Sequence, residues 1–294
     1  MSEISEWVRA NFEKSDTERD KGLTTPESID RFDNLAYGPD PRWQLLDIYR
    51  PAEQQGERLP VIVSVHGGGW VYGDKDRYQF YCMDLARRGF AVVNFSYRLA
   101  PEYQFPASLE DTCRVFDWVL SHGVEYGFDQ ERIFAVGDSA GAHILGLFTA
   151  MCVNPVYAAN FSFSPPKGFV PKGLALNCGA YWIRMSDRPE DQLPSAIMKD
   201  FLPGQGTEEE LALIDLRKHI TRDFPSVFFM TAEDDFLKSQ AMDLAAVLAE
   251  KEIPFVYRYY RDPQRKLGHV FHLNIRLEAA RQCNDEECAF FRSL

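Results

Sequence analysis

The chain has 294 residues, of which 45% are hydrophobic and 26% charged, and its formal net charge is −12. The ordinary charged fraction argues against global disorder. The acidic balance, with no Lys/Arg cluster, argues against nucleic-acid or anionic-membrane binding, because both need basic patches. No apolar run approaches the ~20 residues of a membrane span, and the N-terminus, MSEISEWVRANFEKSDTERD, is too polar for a secretory signal, so neither is expected.

Strand-like and helical runs alternate along the chain. This alternation predicts an α/β fold of one domain, residues 1–294, with a parallel sheet and helices on both faces. Two segments, residues 1–38 and 180–224, fall outside the alternation and are predicted to form a cap over the strand ends rather than surface decoration. The predicted strands are Leu45–Arg50, Val61–Val65, Phe90–Phe95, Arg132–Val136, Gly173–Cys178, Val227–Thr231 and Phe255–Tyr260, and the predicted helices are Tyr78–Arg88, Ala107–His122, Ala140–Met151 and Gln240–Lys251.

The six cysteines are scattered and form no C-x-x-C pair. Several lie in apolar periodic segments, which favours reduced core thiols and a cytoplasmic protein. No H-E-x-x-H motif, EF-hand loop, P-loop or dinucleotide fingerprint is present, so neither a metal nor a cofactor is expected. The cysteines are Cys82, Cys113, Cys152, Cys178, Cys283 and Cys288.

A candidate nucleophile follows the strand Arg132–Val136. The sequence there reads GDSAG, with Ser139 at its centre, and a predicted helix comes next. Strand, G-x-S-x-G and helix in this order predict a sharp turn that raises the serine hydroxyl above the sheet. The alternative is an ordinary turn in which the serine caps the helix.

A serine nucleophile needs a base and an acid that orients the base. The strand Val227–Thr231 is followed by AEDDF, and the strand Phe255–Tyr260 by a loop containing GHVFH. Neighbouring parallel strands place their C-terminal loops side by side, so an acid from one loop and a histidine from the other can meet. Asp234 and Asp235 compete for the acid, with Glu233 behind them. His269 is favoured over His272 as the base, because it follows Gly268 directly and is predicted to head the terminal helix.

Three glycines follow the strand Val61–Val65 in the sequence HGGGW. A tetrahedral intermediate needs N–H donors that already point at its oxyanion. Bare glycine backbone can supply them, together with the N–H of the residue after the nucleophile, Ala140. Gly68 and Gly69 are the predicted donors, and Gly67 is predicted to shape the turn.

These segments, together with YRLAPEYQFPASLED at residues 97–111, resemble the α/β-hydrolase superfamily, in its hormone-sensitive-lipase-like branch of bacterial carboxylesterases. The resemblance implies an α/β-hydrolase fold with a mostly parallel central sheet and a small helical cap. It selects Asp235 as the catalytic acid and His269 as the base. The acid loop departs from the family pattern, because it reads DFLKS where the family has D-x-L-R-D, and Ala232 stands near the usual glycine.

The resemblance implies a carboxylic ester hydrolase that cleaves short-chain acyl esters, acetyl esters among them, without a cofactor. Four aromatic residues near the strand ends are predicted to wall a short acyl pocket, unless they are core or cap packing: Trp70, Tyr72, Tyr181 and Trp182. The alternatives are an amide hydrolase on the same triad (an arylformamidase or a peptidase), a binding module on an inactive scaffold, and an interfacial lipase. The partner is a small-molecule ester, and a homo-oligomer stays open because related scaffolds often pair.

Overall fold

A single sheet of eight strands forms the centre of the fold. The structure is a computed structural model, which describes residues 2–186, 188 and 192–294. The strands are β1 Ile29–Ala36, β2 Leu45–Pro51, β3 Leu59–Val65, β4 Ala91–Phe95, β5 Phe128–Asp138, β6 Gly173–Asn177, β7 Ser226–Ala232 and β8 Phe255–Tyr260. They lie in the order β1-β2-β4-β3-β5-β6-β7-β8. β2 is antiparallel to β1 and β4, and the other neighbouring strands are parallel.

Helices cover both faces of the sheet. Side chains alternate between the two faces of a strand. In β3, Val61, Val63 and Val65 belong to one core cluster, which includes residues of the helices Ala107–His122, Ala140–Val153 and Lys238–Glu250. Ile62 belongs to a second cluster, which includes residues of the helices Lys75–Ala86 and Glu278–Arg292. Burial on both faces explains why the central strands read as continuous apolar runs. The α-helices are α1 Glu3–Asp20, α2 Lys75–Ala86, α3 Ala107–His122, α4 Ala140–Val153, α5 Pro155–Ala158, α6 Gln192–Phe201, α7 Glu208–Leu213, α8 Lys238–Glu250 and α9 Glu278–Arg292. The predicted α/β-hydrolase fold is confirmed.

The six strands from β3 to β8 run parallel, so their C-terminal ends share one edge of the sheet. Ligand sites in sheets of this kind lie at that edge. Among the polar residues that come after the strands at this edge are His66, Ser139, Cys178, Asp235 and His269. The fold therefore gathers side chains that are far apart in sequence.

The segments predicted as a cap differ from expectation in one respect. Ile29–Ala36 is strand β1 at the edge of the sheet, so within residues 1–38 it is α1 that lies beside the predicted site. α1 also meets α6, because the hydroxyls of Ser2 and Ser5 both donate to the Asp200 carboxylate. Residues 187 and 189–191 of the second predicted segment lie outside the described residues.

The structure also places His269 differently from the sequence prediction. The terminal helix α9 begins at Glu278, so His269 lies in the loop between β8 and that helix rather than at its head. Among the residues the structure describes, none of the helices combines the length and apolar character that crossing a membrane requires.

Candidate active site

Ser139 occupies a strained turn between β5 and α4. Its backbone has φ 52° and ψ −119°, outside the regions that L-residues usually adopt, at a cost of about 1–3 kcal/mol. The flanking glycines make the turn possible. A Cβ on Gly141 would lie 2.1 Å from the Val65 carbonyl oxygen, and one on Gly137 would lie 2.7 Å from the backbone of Gly141. The Ser139 N–H donates to the Asn177 carbonyl of the neighbouring strand β6 at 3.0 Å, which fixes the turn on the sheet.

Asp235 and His269 meet because the pairing of β7 and β8 continues beyond both strands. A parallel bridge joins Asp234 to Gly268, and the Asp234 N–H donates to the Leu267 carbonyl at 3.0 Å. Asp235 and His269, which come next in the two segments, are therefore held side by side. His269 Nδ1 lies 2.7 Å from Asp235 Oδ1, and His269 Nε2 lies 2.9 Å from Ser139 Oγ. A hydroxyl, an imidazole and a carboxylate thus form one hydrogen-bonded chain.

The Asp235 carboxylate is buried, with 1% of the residue exposed, yet it is well supplied with donors. The Thr231 hydroxyl donates to Oδ2 at 2.6 Å, and the Leu237 N–H donates to Oδ1 at 2.9 Å. Burial by itself would raise the pKa of Asp235, but the hydrogen bonds from His269, Thr231 and Leu237 outweigh burial and hold the pKa below its usual value. Asp235 is therefore ionised at neutral pH and suited to orient an imidazole.

The competing residues take other positions. The side chain of Asp234 is 58% exposed, and its carboxylate faces Lys266 at 3.8 Å. His272 is fully buried with its ring edge-on to Tyr81, and burial lowers its pKa to about 3. The geometry therefore brings Asp235 and His269, not their neighbours, to the serine.

The glycine loop lies beside Ser139 and has the backbone that only glycine adopts easily. Gly68 and Gly69 have φ values of 116° and 60°, and a Cβ on Gly68 would lie 2.1 Å from the Tyr72 carbonyl oxygen. The Gly67 N–H is already used, because it donates to the Tyr78 hydroxyl at 2.8 Å. This arrangement fits the predicted division between Gly67, which shapes the loop, and Gly68 and Gly69.

Asp138 and Tyr78 connect the two loops, and neither residue was among the predicted site residues. The Tyr78 hydroxyl donates to Asp138 Oδ2 at 2.8 Å while it accepts from Gly67. Burial raises the pKa of Asp138 to about 7, although the Tyr78 hydrogen bond and the charge of Arg19 lower it. The position of Asp138, inside GDSAG at the end of a buried strand, was the sequence signal for a buried carboxyl.

The cavity at Ser139 has a volume of about 70 Å³ and lies partly under α1. On that side Asp16 accepts hydrogen bonds from the Tyr72 hydroxyl and from Arg19, both at 2.9 Å. The cavity is lined by Phe12, Asp16, Arg19, Gly67, Gly68, Tyr72, Tyr78, Asp138, Ser139, His269, Val270 and Leu273. Of the four aromatic residues predicted to wall the pocket, Tyr72 belongs to this set of described residues.

The other three aromatic residues pack elsewhere, which corrects their predicted place. Trp70 stacks on Phe201 with ring centroids 5.1 Å apart and donates its indole N–H to His143. Tyr181 is 1% exposed and donates its hydroxyl to the Leu176 carbonyl. Trp182 lines a different cavity, beside α8. A sequence pattern could not distinguish these positions, because large aromatic rings serve equally well as core.

Cys178, whose thiol was predicted to be part of the core, lies beside the Asp235 carboxylate. It follows β6 with φ 45° and is 1% exposed. Burial and the nearby Asp235 carboxylate raise the pKa of the thiol well above its usual value. The possible ligand atoms of Cys178, Asp235 and His269 lie within 4.8 Å of one another, which is the one such group of three found in the described part of the chain.

Comparisons with known proteins identify the family of the chain. A family profile described as alpha/beta hydrolase fold matches residues 62–273, and the chain belongs to that family. It is 26% identical over 230 residues to versiconal hemiacetal acetate esterase of Dothistroma septosporum, a match that covers 72% of this chain and 68% of that protein. It is 33% identical over 130 residues to esterase LipQ of Mycobacterium tuberculosis, where the match covers 44% of this chain but only 31% of the relative.

Solved structures share the fold of this chain. Esterase B of Lactobacillus rhamnosis superposes with a TM-score of 0.88 at 24% identity, over 99% of this chain and 94% of that chain. The esterase of Pyrobaculum calidifontis superposes with a TM-score of 0.79 at 25% identity, over 100% of this chain and 94% of the other. Fold and family profile together place the chain in the α/β-hydrolase family, and these relatives and structural neighbours are all named esterases.

Proposed function

We propose that Ser139, His269 and Asp235 are the catalytic residues of a serine carboxylesterase that cleaves short-chain acyl esters. The observation that carries the proposal is the continuous hydrogen-bonded chain from Ser139 Oγ to His269 Nε2 and from His269 Nδ1 to Asp235 Oδ1, at 2.9 and 2.7 Å. The strained serine turn and the adjacent glycine loop complete the set of groups that acyl transfer needs.

The mechanism follows from these contacts. His269 takes the Ser139 proton as the hydroxyl oxygen attacks the ester carbonyl, and Asp235 holds the Nδ1–H tautomer and stabilises the imidazolium. The N–H groups of Gly68, Gly69 and Ala140 are the proposed donors to the oxyanion. His269 then protonates the departing alcohol. A water molecule, deprotonated by the same imidazole, hydrolyses the acyl-enzyme.

A short acyl group is the proposed substrate, and the small cavity supports it. A volume of about 70 Å³ at Ser139 leaves little space for a long chain while α1 stays in place. One structurally similar protein, esterase B of Lactobacillus rhamnosis, was solved with a tributyrin phosphonate inhibitor. Turnover of p-nitrophenyl esters from C2 to C12 tests the proposal: the maximum is expected at C2 to C4, and a maximum at C8 or longer would contradict it.

We also propose that α1 and the described part of residues 180–224 form a cap over the site. Phe12, Asp16 and Arg19 of α1 line the cavity, which supports the cap.

We propose that the protein works in the cytoplasm. All six cysteines are free, which fits a reducing compartment. The net charge of −12 supports a partner other than nucleic acid. Cell fractionation checks the compartment, and light scattering checks whether copies of the chain pair.

The decisive experiment is Ser139→Ala, assayed with p-nitrophenyl acetate. Loss of the nucleophile is expected to lower kcat by a factor on the order of 10⁴–10⁶ with an almost unchanged melting temperature. A fluorophosphonate probe is expected to label a peptide containing Ser139 in the wild type only. Ser121→Ala is the matched control, because Ser121 is exposed on α3. Retained turnover in Ser139→Ala would refute the assignment, and faster cleavage of an acyl anilide than of the ester would favour an amide hydrolase.

A further inference from the structure

A thiol lies next to the proposed triad, and no step of the proposed mechanism uses it. Cys178 follows β6 directly, as Ser139 follows β5, so both lie at the same edge of the sheet. The ligand atoms of Cys178, Asp235 and His269 are within 4.8 Å of one another. The fold thus brings a sulfur, a carboxylate oxygen and an imidazole nitrogen to one point.

These three atoms are the ligand types that Zn²⁺ prefers. The ion binds thiolate sulfur at about 2.3 Å and imidazole nitrogen or carboxylate oxygen at about 2.0–2.2 Å, in tetrahedral geometry. Ligand atoms on one zinc ion are therefore about 3.3–3.7 Å apart. The Nδ1–Oδ1 separation of 2.7 Å between His269 and Asp235 must lengthen to reach this range. The separations from the Cys178 sulfur are at most 4.8 Å, so they lie within about 1.5 Å of the range or inside it. Side-chain rotations supply shifts of this size, and water can fill the fourth position.

We propose that Cys178, Asp235 and His269 form an inhibitory binding site for Zn²⁺ and similar thiophilic divalent cations. The inhibitory part of this proposal rests on the proposed function, whereas the binding part does not. Mg²⁺ is expected to have no effect, because it prefers oxygen ligands in octahedral geometry and keeps most of its water.

Inhibition follows from the tautomer of the imidazole. When the ion binds, the thiol proton leaves to solvent and a metal–sulfur bond forms. The ion takes the place of the proton on His269 Nδ1, and that proton moves to Nε2. Nε2 then carries a hydrogen and has no lone pair for the Ser139 hydroxyl proton. The nucleophile loses its base without any change at Ser139 itself.

The path to the site predicts slow binding. Cys178 and Asp235 are each 1% exposed, whereas the His269 side chain is 18% exposed and borders the cavity. An ion must therefore enter past the His269 ring, which has to move before the metal can reach the sulfur. Inhibition is expected to develop with time after mixing and to be reversed by EDTA.

The first test is a Zn²⁺ titration of p-nitrophenyl acetate turnover, with each variant compared with its own metal-free rate. Cys178→Ala is expected to need at least about tenfold more Zn²⁺ for half-inhibition, because it loses a direct ligand and even the loss of an outer-shell partner costs 10–100-fold in affinity. Cys152→Ala, which removes a partly buried thiol on α4, is the control and is expected to match the wild type. Equal sensitivity of Cys178→Ala and the wild type would overturn the proposal.

The second test does not depend on turnover. Co²⁺ added to the wild type and to Ser139→Ala is expected to give a thiolate-to-cobalt charge-transfer band in the near ultraviolet, and Cys178→Ala is expected to lack it. If Cys178→Ala does not fold, Cys178→Ser keeps the size of the side chain and supplies a much weaker ligand. A band without esterase activity would refute the proposed function and keep the metal site. Absence of the band in the wild type would refute the metal site.

Discussion

The buried carboxyl of Asp138 is expected to make the free energy of unfolding depend on pH. Burial raises the pKa of this group from 3.8 to about 7 in the folded chain. The groups facing it are the Tyr78 hydroxyl and the Gly67 N–H, with Arg19 and Asp16 of α1 nearby. Between the two pKa values the folded state holds a proton that the unfolded state has released. Stability is therefore lost as the pH rises from the lower pKa towards the upper one.

The size of this effect follows from linkage. For a group with a pKa of 3.8 unfolded and about 7 folded, the free energy of unfolding falls by about 2–3 kcal/mol between pH 5 and pH 8. Asp138→Asn removes the titration and keeps an acceptor for the Tyr78 hydroxyl. The variant is therefore expected to lose about 2–3 kcal/mol less than the wild type over this pH range.

Urea unfolding at several pH values between 5 and 8.5 measures the difference. Glu287 is also buried, and burial raises its pKa to about 7, so the wild-type curve contains both groups. Subtracting the variant curve from the wild-type curve cancels Glu287 and leaves Asp138. Parallel curves, with a difference that does not change with pH, would show that Asp138 is already ionised in the folded chain at pH 5 and would refute the reasoning.

Two further predictions concern the groups around the serine. Gly68→Ala places a Cβ 2.1 Å from a backbone oxygen, at a residue whose φ is 116°. The loop must shift, so kcat is expected to fall on the order of 10²–10³-fold. Gly56→Ala is the control, because Gly56 also has a positive φ, 82°, but has open space around it. Normal turnover by Gly68→Ala would remove the glycine loop from the mechanism. Thr231→Val deletes a hydrogen-bond donor to Asp235, so the pKa of that carboxyl is expected to rise. The kcat is expected to fall about tenfold at an unchanged KM. A changed KM with an unchanged kcat would argue against a role of Thr231 in orienting Asp235.

The class of fold and the position of the nucleophile segment could be predicted from the amino-acid sequence. Continuous apolar runs that alternate with amphipathic helices leave a parallel sheet as the consistent solution. Ser139 lies at the carboxyl edge of the sheet because GDSAG directly follows a buried strand. The glycines on either side of the serine are needed because other chain segments approach them closely. The family and the fold are confirmed. The catalytic roles of Ser139, Asp235 and His269 stay predictions until the variants are assayed.

Which residues around those motifs face the serine depends on how distant segments pack together. The sequence could not choose between Asp234 and Asp235 without a family resemblance, whereas the bridge from Asp234 to Gly268 turns one carboxylate outwards and the next inwards. Three of the four aromatic residues predicted for the pocket pack elsewhere, and Cys178 came to lie beside the Asp235 carboxylate. The direction of a side chain and the pKa of a buried acid depend on surrounding atoms from distant segments, and no local pattern encodes those positions.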